Sequence, residues 1–242
     1  MSSGLLDLRL ETGVWLLPLE NTSTRLEPLF ASLTDDERET LSGYASATRR
    51  QEFALSRLLL RLILRRYGFD ALATTSLHQH EHGKPVFPDS DAPHFNLSHA
   101  QGMAVLVLGG TATLGVDIEP RGRKLPSQLL APRYCHPAEL RWLAESTDDE
   151  LRHRQNFLRL WVRKEAVLKA RGDGVYGGPR RIDAISGDGV AYYHDPARPE
   201  PERWDLADIE IHDDYFISVA RAAGSRRASH TVELLDSIEA LI

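Results

Sequence analysis

The spacing of hydrophobic and polar positions changes several times along the chain, and each change predicts a different element. Apolar, partly β-branched runs at 13–18 and 103–108 are typical of buried strands. Residues 48–67 place apolar side chains at helical spacing and are followed by Gly68, which predicts a helix that ends there. The capping-box spacing at 34–37 predicts the start of a shorter helix before it.

The second half of the chain also switches between strand and helix patterns. Residues 114–120 predict a strand that ends at a proline, and 133–140 predict a loop that enters a short helix. The longest predicted helix runs from a capping segment at 147–150 to about Arg171, and its many apolar residues require it to be largely buried. Short alternating segments predict an antiparallel sheet at 182–185, 190–193, 204–211 and 215–220, with an isolated strand at 74–80.

Composition limits the kind of protein. A chain of 242 residues that is 42% hydrophobic and 26% charged is long enough for one large or two small domains with a core. A net charge of −6 provides no overall attraction for nucleic acid or an anionic membrane. Cys135 is the single cysteine, which excludes an internal disulfide and a zinc site built from thiolates. With no basic, apolar leader and no apolar window long enough to span a bilayer, we expect a cytoplasmic protein without a membrane segment.

Two carboxylates stand at the end of the predicted strand at 114–120. Asp117 and Glu119 are two positions apart, so they leave the same face of a strand while Val116 and Ile118 point into the core. Adjacent carboxylates repel unless a cation lies between them, and Mg²⁺ is the usual cation for oxygen ligands. A solvated acidic strand end accounts for the same pattern when it is taken alone.

The long second helix carries charges that a buried helix must accommodate. Trp161, Glu165 and Lys169 stand one turn apart in a single row, with Lys164 beside them. Two interpretations stay open at this point. Lys169 and Glu165 form a structural ion pair, or Glu165 is a third ligand of a metal held by the two strand carboxylates.

The predicted helix at 48–67 is rich in arginine. Its arginines are Arg49, Arg50, Arg57, Arg61, Arg65 and Arg66. A solvated face accounts for most of them. Arg57 lies within the densest apolar segment, so we expect its guanidinium to emerge beside a packed surface, where a fork of donors can bind a phosphate.

Further candidate donors lie at 83–99, before the strand that carries the two carboxylates. The segment 83–85 is a glycine-proline bracket that presents Lys84 from a turn, and Ser98 and His99 end a short polar segment before an apolar strand. They suit an anion, or they form an ordinary polar strand end; as neighbours in a strand they are no nucleophile dyad. The alternating histidines in 78–82 predict an exposed edge rather than a transition-metal site.

The order and spacing of these motifs resemble the signature of the 4′-phosphopantetheinyl transferases of the Sfp type, over residues 49–174. The matching motifs are Gly83-Lys84-Pro85, Phe95-Asn96-Leu97-Ser98-His99, Gly115-Val116-Asp117-Ile118-Glu119 and Trp161-x-x-Lys164-Glu165-Ala166-x-x-Lys169 with Gly172-x-Gly174. Each motif is weak alone, and the ordered set is specific.

The resemblance implies an enzyme that transfers the phosphopantetheine arm of coenzyme A to a serine of an apo acyl or peptidyl carrier protein. The reaction would depend on Mg²⁺ and release adenosine 3′,5′-bisphosphate. The implied fold is α+β and pseudo-dimeric, with two similar halves at 1–111 and 112–242 and coenzyme A in the cleft between them. It also implies a monomer that binds neither nucleic acid nor membrane.

The resemblance also implies roles for individual residues. Asp117, Glu119 and Glu165 would hold Mg²⁺. Coenzyme A would be bound by Arg57, Lys84, Pro85, Ser98 and His99, with Lys169 on its pyrophosphate. Glu165 and Lys169 would be catalytic, and Glu165 is the candidate general base, directly or through water on the metal.

Two segments fit the family pattern less closely. Residues 41–48 are uncharged where some relatives carry lysines, so Arg49 or Arg50 substitutes or the 3′-phosphate is held more weakly. The basic loop at 121–124 suits an acidic carrier surface, or is a solvated loop.

Two other functions remain as alternatives to the transferase. One is a non-catalytic module that binds coenzyme A or a carrier protein. The other is a Mg²⁺-dependent nuclease, which the net charge of −6 disfavours.

Overall fold

A computed structural model describes residues 7–8, 11–20, 27–80, 82–110, 112–146, 148–185, 189–223 and 230–242. The helices are α1 (Asp35–Gly43), α2 (Ala47–Arg66), α3 (Ser127–Tyr134), α4 (Pro137–Ala144) and α5 (Glu150–Arg171). The strands are β1 (Thr12–Pro18), β2 (His78–Gln79), β3 (Pro85–Val86), β4 (Phe95–Ala100), β5 (Met103–Gly109), β6 (Leu114–Pro120), β7 (Ile182–Asp183), β8 (Val190–Tyr193), β9 (Glu202–Asp208), β10 (Tyr215–Ala222) and β11 (His230–Leu234). The fold is therefore mixed α+β, as predicted.

The chain divides into two compact units. The first unit comprises Met1–Thr111 together with Ala228–Ile242, and the second comprises Ala112–Arg227. The sequence-based division placed all residues from 112 onward in the second half. The C-terminal segment differs because β11 pairs in parallel with β1, with Val14 opposite Val232, and so completes the first unit.

The first unit is a four-stranded sheet covered by α2. Its strand order is β11-β1-β5-β4, with β1 and β5 antiparallel. The helix predicted at 48–67 is confirmed; it begins after Ser46, whose hydroxyl accepts a hydrogen bond from the Arg49 backbone nitrogen. Its apolar face, including Leu55, Leu59 and Ile63, is fully buried against the sheet. This packing fixes the position of the arginines on α2.

Of the predictions for the polar segments of the first unit, the capping box is confirmed and the strand at 74–80 is confirmed only in part. The predicted capping box is present: the Glu37 backbone nitrogen donates to Thr34 Oγ1, and Thr34 N donates to Glu37 Oε2. The strand predicted at 74–80 was wrong in extent, because Leu72–Thr74 is a 3₁₀ turn and only β2 pairs with β3. The histidines at 78 and 80 are exposed, as expected, and so is His82.

The second unit is a five-stranded antiparallel sheet with α5 packed on it. Its order is β6-β10-β9-β8-β7, and α5 covers β6 and β10. The strands predicted after residue 182 are present and antiparallel, although their bounds differ from the prediction. The loop predicted at the start of 133–140 was wrong, because Arg133 and Tyr134 close α3, a helix that contains Pro132 and was therefore missed.

The helix α5 begins and ends at clear signals. Asp149 is its N-cap and accepts a hydrogen bond from the Arg152 backbone nitrogen, while Thr147 of the predicted capping segment lies outside the described residues. Gly172 ends it with φ of +83°, the left-handed conformation that glycine adopts without strain. The helix thus spans the whole row from Trp161 to Lys169.

Lys164 belongs to the core of the second unit. Its side chain is 1% exposed and its ammonium group contacts Glu139 Oε2 at 2.6 Å and donates to the carbonyl oxygen of Pro179. Glu139 also accepts from the Ala184 backbone nitrogen. Burial raises the pKa of Glu139 and lowers the pKa of Lys164, and the contact between them opposes both shifts. The pair joins α5 to α4 and to the segment before β7.

No helix in the described part of the chain has the length and apolar character needed to cross a membrane.

The C-terminal segment makes a testable contribution to the first unit. Ile238 is fully buried in the core formed by α2 and the sheet. We expect Ile238→Ala to lower the free energy of unfolding by about 2–4 kcal/mol, because it removes buried methyl groups and leaves a cavity. Urea denaturation measures this. Ile242→Ala is the control, since Ile242 is 74% exposed, and it should change stability by less than about 0.5 kcal/mol. Equal effects of the two substitutions would contradict the placement of this segment.

Candidate active site

The site in the second unit is built on the close approach of α5 to β6. Gly115, Asp117 and Glu119 alternate along one face of β6. A Cβ atom at Gly115 would overlap the carbonyl oxygen of Ala166 and the backbone nitrogen of Ala170 on α5. Only glycine therefore allows this contact, which brings the helix against the carboxylate face of the strand.

Lys169 lies next to that contact and binds the strand. Its ammonium group donates to Asp117 Oδ1 at 2.6 Å, and Asp117 is 6% exposed. Of the two interpretations that the sequence left open, the ion pair between Lys169 and Glu165 is not the arrangement found: Lys169 contacts the strand carboxylate. The partner of Lys169 was not predictable from helical spacing, because Asp117 is 52 residues away in sequence.

Glu165 is a carboxylate whose charge is poorly compensated by its neighbours. Its Oε1 atom is buried and has no hydrogen-bond partner among the described residues. Burial raises the pKa of Glu165 to about 7, and the charges of Asp117 and Glu119 act in the same direction, against the lowering effect of Lys169. An uncompensated buried carboxylate is costly, so this atom is a natural ligand for a cation or a holder of a proton.

Glu119 lies at the outer end of the same face. Its carboxylate pairs with Arg123 of the following loop. Burial raises the pKa of Glu119, Arg123 lowers it, and Asp117 raises it. The couplings show that Asp117, Glu119 and Glu165 are close enough to repel one another, with Lys169 and Arg123 as the nearby cations.

These carboxylates fit the chemistry of Mg²⁺. The ion takes oxygen ligands, usually one or two carboxylates with water and substrate phosphate. Within the described ranges, no group of three or more His, Cys, Asp or Glu side chains is arranged as a ready-made metal site. Glu165 Oε1 is nonetheless a buried oxygen without a hydrogen-bond partner there, close to the carboxylates of Asp117 and Glu119. The donor set therefore suits a hard divalent cation.

Sequence reasoning passed over Ser218. It pairs with Asp117 across β10 and β6, so the two side chains share a face of the sheet. Ser218 is 1% exposed, and its hydroxyl has no hydrogen-bond partner within the part of the chain that the structure describes. Strand alternation alone does not identify the residue; the register with Asp117 is needed.

The first unit contains a cavity of about 470 Å³. The side chains that matter for its chemistry are Tyr44, Arg49, Glu52, Arg57, Pro85 and His99. Its volume lies in the range of small-molecule sites. Ser98 does not line it: the side chain is buried and on the opposite face of β4 from His99.

Arg57 reaches the cavity from a buried position, as expected. Its guanidinium lies over the Phe53 ring at 5.2 Å, and Nε is 3.8 Å from Glu37 Oε1. The Nε and Nη1 atoms are buried without a hydrogen-bond partner in the described residues. Burial lowers the pKa of Arg57, and the neighbouring Arg61 lowers it further, while Glu37 raises it. An anion in the cavity would give these donors a partner.

Arg61 was wrongly included in the solvated face of α2. It is fully buried, and two of its nitrogens bond both oxygens of Glu37, at 2.8 and 3.2 Å. Its third nitrogen donates to the carbonyl oxygens of Leu72 and Thr75. The hydrogen bonds of Glu37 thus go to Arg61, and Arg57 keeps only the longer contact with Glu37 at 3.8 Å, which leaves its Nε and Nη1 donors for a ligand. The other arginines of α2, at 49, 50, 65 and 66, are exposed.

Lys84 sits in the hairpin between β2 and β3. Burial lowers its pKa to about 8, so the ammonium ion is held in an environment that favours the neutral form. An anionic partner would reverse that preference. Pro85, the next residue, lines the cavity.

Comparison with known proteins gives one consistent family. The model of the 4′-phosphopantetheinyl transferase superfamily matches residues 113–220. The chain is 32% identical to the 4′-phosphopantetheinyl transferase HetI of Nostoc sp., over 68% of this chain and 70% of that protein. It is 28% identical to the 4′-phosphopantetheinyl transferase Sfp of Bacillus subtilis, over 62% and 64% of the two chains. Holo-[acyl-carrier-protein] synthase of Thermotoga maritima superposes with a TM-score of 0.33 at 16% identity, over 47% of this chain and 65% of that one, a similarity too weak to establish a common fold.

Gly115 provides a test of the packing beneath the site. We expect Gly115→Ala to destabilise the second unit by about 1–3 kcal/mol or more, because the methyl group forces α5 away from β6. Thermal unfolding and the chemical shifts of the Lys169 ammonium group measure the change. Gly122→Ala is the matched control, since a Cβ there meets nothing within 4 Å. If Gly115→Ala leaves both stability and the Lys169 signal unchanged, the close contact does not hold the site together.

Proposed function

The chain belongs to the 4′-phosphopantetheinyl transferase superfamily, and from this premise we propose that it transfers the phosphopantetheine arm of coenzyme A to a serine of an apo carrier protein. The proposed reaction depends on Mg²⁺ and releases adenosine 3′,5′-bisphosphate. The acceptor belongs to the acyl or peptidyl carrier proteins, and we propose that the enzyme acts as a cytoplasmic monomer.

One observation carries the proposal. Glu165 presents a buried carboxylate oxygen without a partner among the described residues, on a helix whose neighbouring lysine already binds Asp117. In a structural ion pair each buried charge has a partner, as Lys164 and Glu139 show in the same unit. An unpartnered carboxylate oxygen beside a fixed ammonium group suits a divalent cation together with a pyrophosphate: the carboxylates would hold the cation, and the ammonium group would attract phosphate oxygens.

We propose that Asp117, Glu119 and Glu165 hold the Mg²⁺ ion. When bound, this ion neutralises charge on the pyrophosphate and so favours the departure of adenosine 3′,5′-bisphosphate. Arg123 pairs with Glu119 and Lys169 pairs with Asp117, so two cationic side chains lie beside the carboxylates that would hold the ion.

Glu165 and Lys169 have the proposed catalytic roles. The transfer forms a bond between the serine oxygen of the carrier and the β-phosphorus of coenzyme A, and the bond from that phosphorus to the bridging oxygen breaks. Glu165 accepts the serine proton on its carboxylate, directly or through a water molecule, and a pKa of about 7 suits a general base. Lys169 holds the pyrophosphate and offsets charge that develops on the leaving oxygen.

The cavity of the first unit is proposed as the site of the nucleotide part of coenzyme A. Arg57 supplies buried donors that have no partner within the described ranges, and His99 lines the same space. Lys84 and Pro85 contact the nucleotide from the hairpin. The sequence proposed Ser98 with them; because its side chain is buried and does not line the cavity, we assign it a contact through the backbone of β4.

The structure favours Arg49 over Arg50 as the substitute for the missing lysines. Arg49 lines the cavity, whereas Arg50 Nη2 donates to the carbonyl oxygen of Tyr44. We therefore propose that Arg49 contributes to the grip on the 3′-phosphate.

Part of the basic loop before α3 is already engaged within the protein. Arg121 lies over the Phe216 ring at 4.7 Å and donates to the carbonyl oxygen of Tyr215, and Arg123 pairs with Glu119. Lys124 is exposed. Of this loop, Lys124 is the residue we propose for contact with an acidic carrier surface.

Transfer is tested directly by intact-mass spectrometry. Apo carrier proteins incubated with the enzyme, coenzyme A and Mg²⁺ should gain the mass of one phosphopantetheine arm, and EDTA should prevent the gain. We expect Asp117→Ala and Glu165→Gln each to reduce the rate by about 10²-fold or more, because each removes a group that stabilises the transition state. Unfolding temperatures should stay near that of the wild type.

Glu150→Gln is the control for these substitutions, since Glu150 lies on the same helix with its side chain 85% exposed. It should retain the wild-type rate. Wild-type activity in either site variant would remove that residue from the mechanism, and absence of transfer to every carrier would refute the proposed function.

The depressed pKa of Lys84 predicts a dependence of binding on pH. Below about pH 8 the side chain is a cation and attracts the phosphates of coenzyme A; above it the charge is lost. We expect the Kd for coenzyme A to rise by about three- to tenfold between pH 7.5 and 9, measured by isothermal titration calorimetry. Lys84→Arg keeps its charge in this range and should flatten the profile. Lys124→Arg is the control: it changes an exposed lysine and should leave the pH profile as it is in the wild type. The same profile in both variants would exclude Lys84 from the binding site.

A further inference from the structure

The cavity of the first unit contains a carboxylate among its cationic groups. Glu52 lies on α2, one turn before Ser56, and lines the cavity together with Arg49, Arg57 and His99. Its side chain is 24% exposed, and its Oε2 atom is 3.7 Å from His99 Nε2. The Glu52 carboxylate therefore lies next to the His99 ring, a donor that an anionic ligand would use.

A negative charge in this position opposes an anion in two ways. It lies 3.7 Å from the His99 ring nitrogen, in the space that a ligand must enter to accept a hydrogen bond from that ring. It also repels a phosphate that enters the same space, where partial burial reduces the screening by water. Glu37 does not have this effect, because Arg61 binds both of its oxygens.

We propose that Glu52 sets the affinity of the cavity for phosphate-bearing nucleotides by competing with them for His99. This inference rests on the proposed function, since it concerns the nucleotide part of coenzyme A and of the released bisphosphate. The ligand chemistry is a phosphate ester on a nucleoside. The consequence is weaker binding of substrate and product alike, which favours release of adenosine 3′,5′-bisphosphate after transfer.

The opposite role for a carboxylate in such a cavity is to accept a hydrogen bond from a ribose hydroxyl or from the amino group of the base. The contact with His99 favours competition, because the carboxylate already faces a ring nitrogen of the protein that can donate to a ligand. The two roles predict effects of opposite sign when the charge is removed.

Glu52→Gln separates them. The amide keeps the size of the side chain and removes its charge. We expect adenosine 3′,5′-bisphosphate to bind about three- to tenfold more tightly to this variant than to the wild type, by isothermal titration calorimetry in low salt. In about 0.5 M NaCl the gain should shrink, because salt screens the repulsion. Glu39→Gln on α1 is the matched control: Glu39 is exposed, does not line the cavity, and should bind as the wild type does.

A double-mutant cycle tests the link to His99. In a His99→Gln background the gain from Glu52→Gln should fall to about twofold or less, because the donor for which the two anions compete is absent. An undiminished gain would assign the effect to repulsion alone and overturn the competition.

The remaining outcomes distinguish this inference from the proposed function. Unchanged or weaker binding by Glu52→Gln, with transfer to carrier intact in the wild type, would overturn the inference alone. Failure of the wild type to transfer the arm to any carrier would refute the proposed function. If neither the wild type nor Glu52→Gln binds the bisphosphate at millimolar concentration, the cavity is not the nucleotide site and the inference fails.

Discussion

The contact between β6 and α5 at Gly115 is the constraint on which the candidate active site depends. A side chain larger than hydrogen at this position would collide with the backbone of α5 near Ala166 and Ala170. Glu165 and Lys169 each precede one of these alanines, so the same contact that brings the backbones together brings both charges to Asp117. Packing between Gly115 and the two alanines has thus placed Asp117 and Glu165 close together. Repulsion between their carboxylates and the loss of solvation would both oppose this arrangement.

Buried charges in this protein fall into two kinds, and the difference between them carries functional information. Arg61 with Glu37, and Lys164 with Glu139, have several hydrogen bonds and no spare charge, as structural ion pairs require. Arg57 and Glu165 are also largely buried, yet each retains atoms without a partner among the described residues. Residue type does not separate the kinds, because arginine and glutamate occur in both. What separates them is whether neighbouring groups complete the hydrogen bonds.

Features that depend on local spacing could be predicted from the sequence, and features that depend on distant residues could not. The helices α2 and α5, the strand β6 and the capping box at Thr34 follow from local spacing, so the pattern of residues was enough. The partner of Lys169, the burial of Arg61 and the pairing of β11 with β1 depend on residues far away in the chain. The 228–242 segment carries weak strand signals of its own, and pairing with β1 determines its place. The resemblance to a family supplied the candidate residues, but not their contacts.

The two units carry charge imbalances of opposite sign. In the first, Arg57 has buried donors without a partner in the described ranges, and arginine and histidine side chains line the cavity with one opposing carboxylate, Glu52. In the second, Asp117 and Glu119 pair with Lys169 and Arg123, and Glu165 adds a third carboxylate with a buried oxygen that has no partner among the described residues. Taken separately, the groups of the first unit suit the phosphates of a nucleotide, and the carboxylates of the second unit suit a divalent cation. This match in charge, independent of any motif, supports coenzyme A with Mg²⁺ as the proposed ligand.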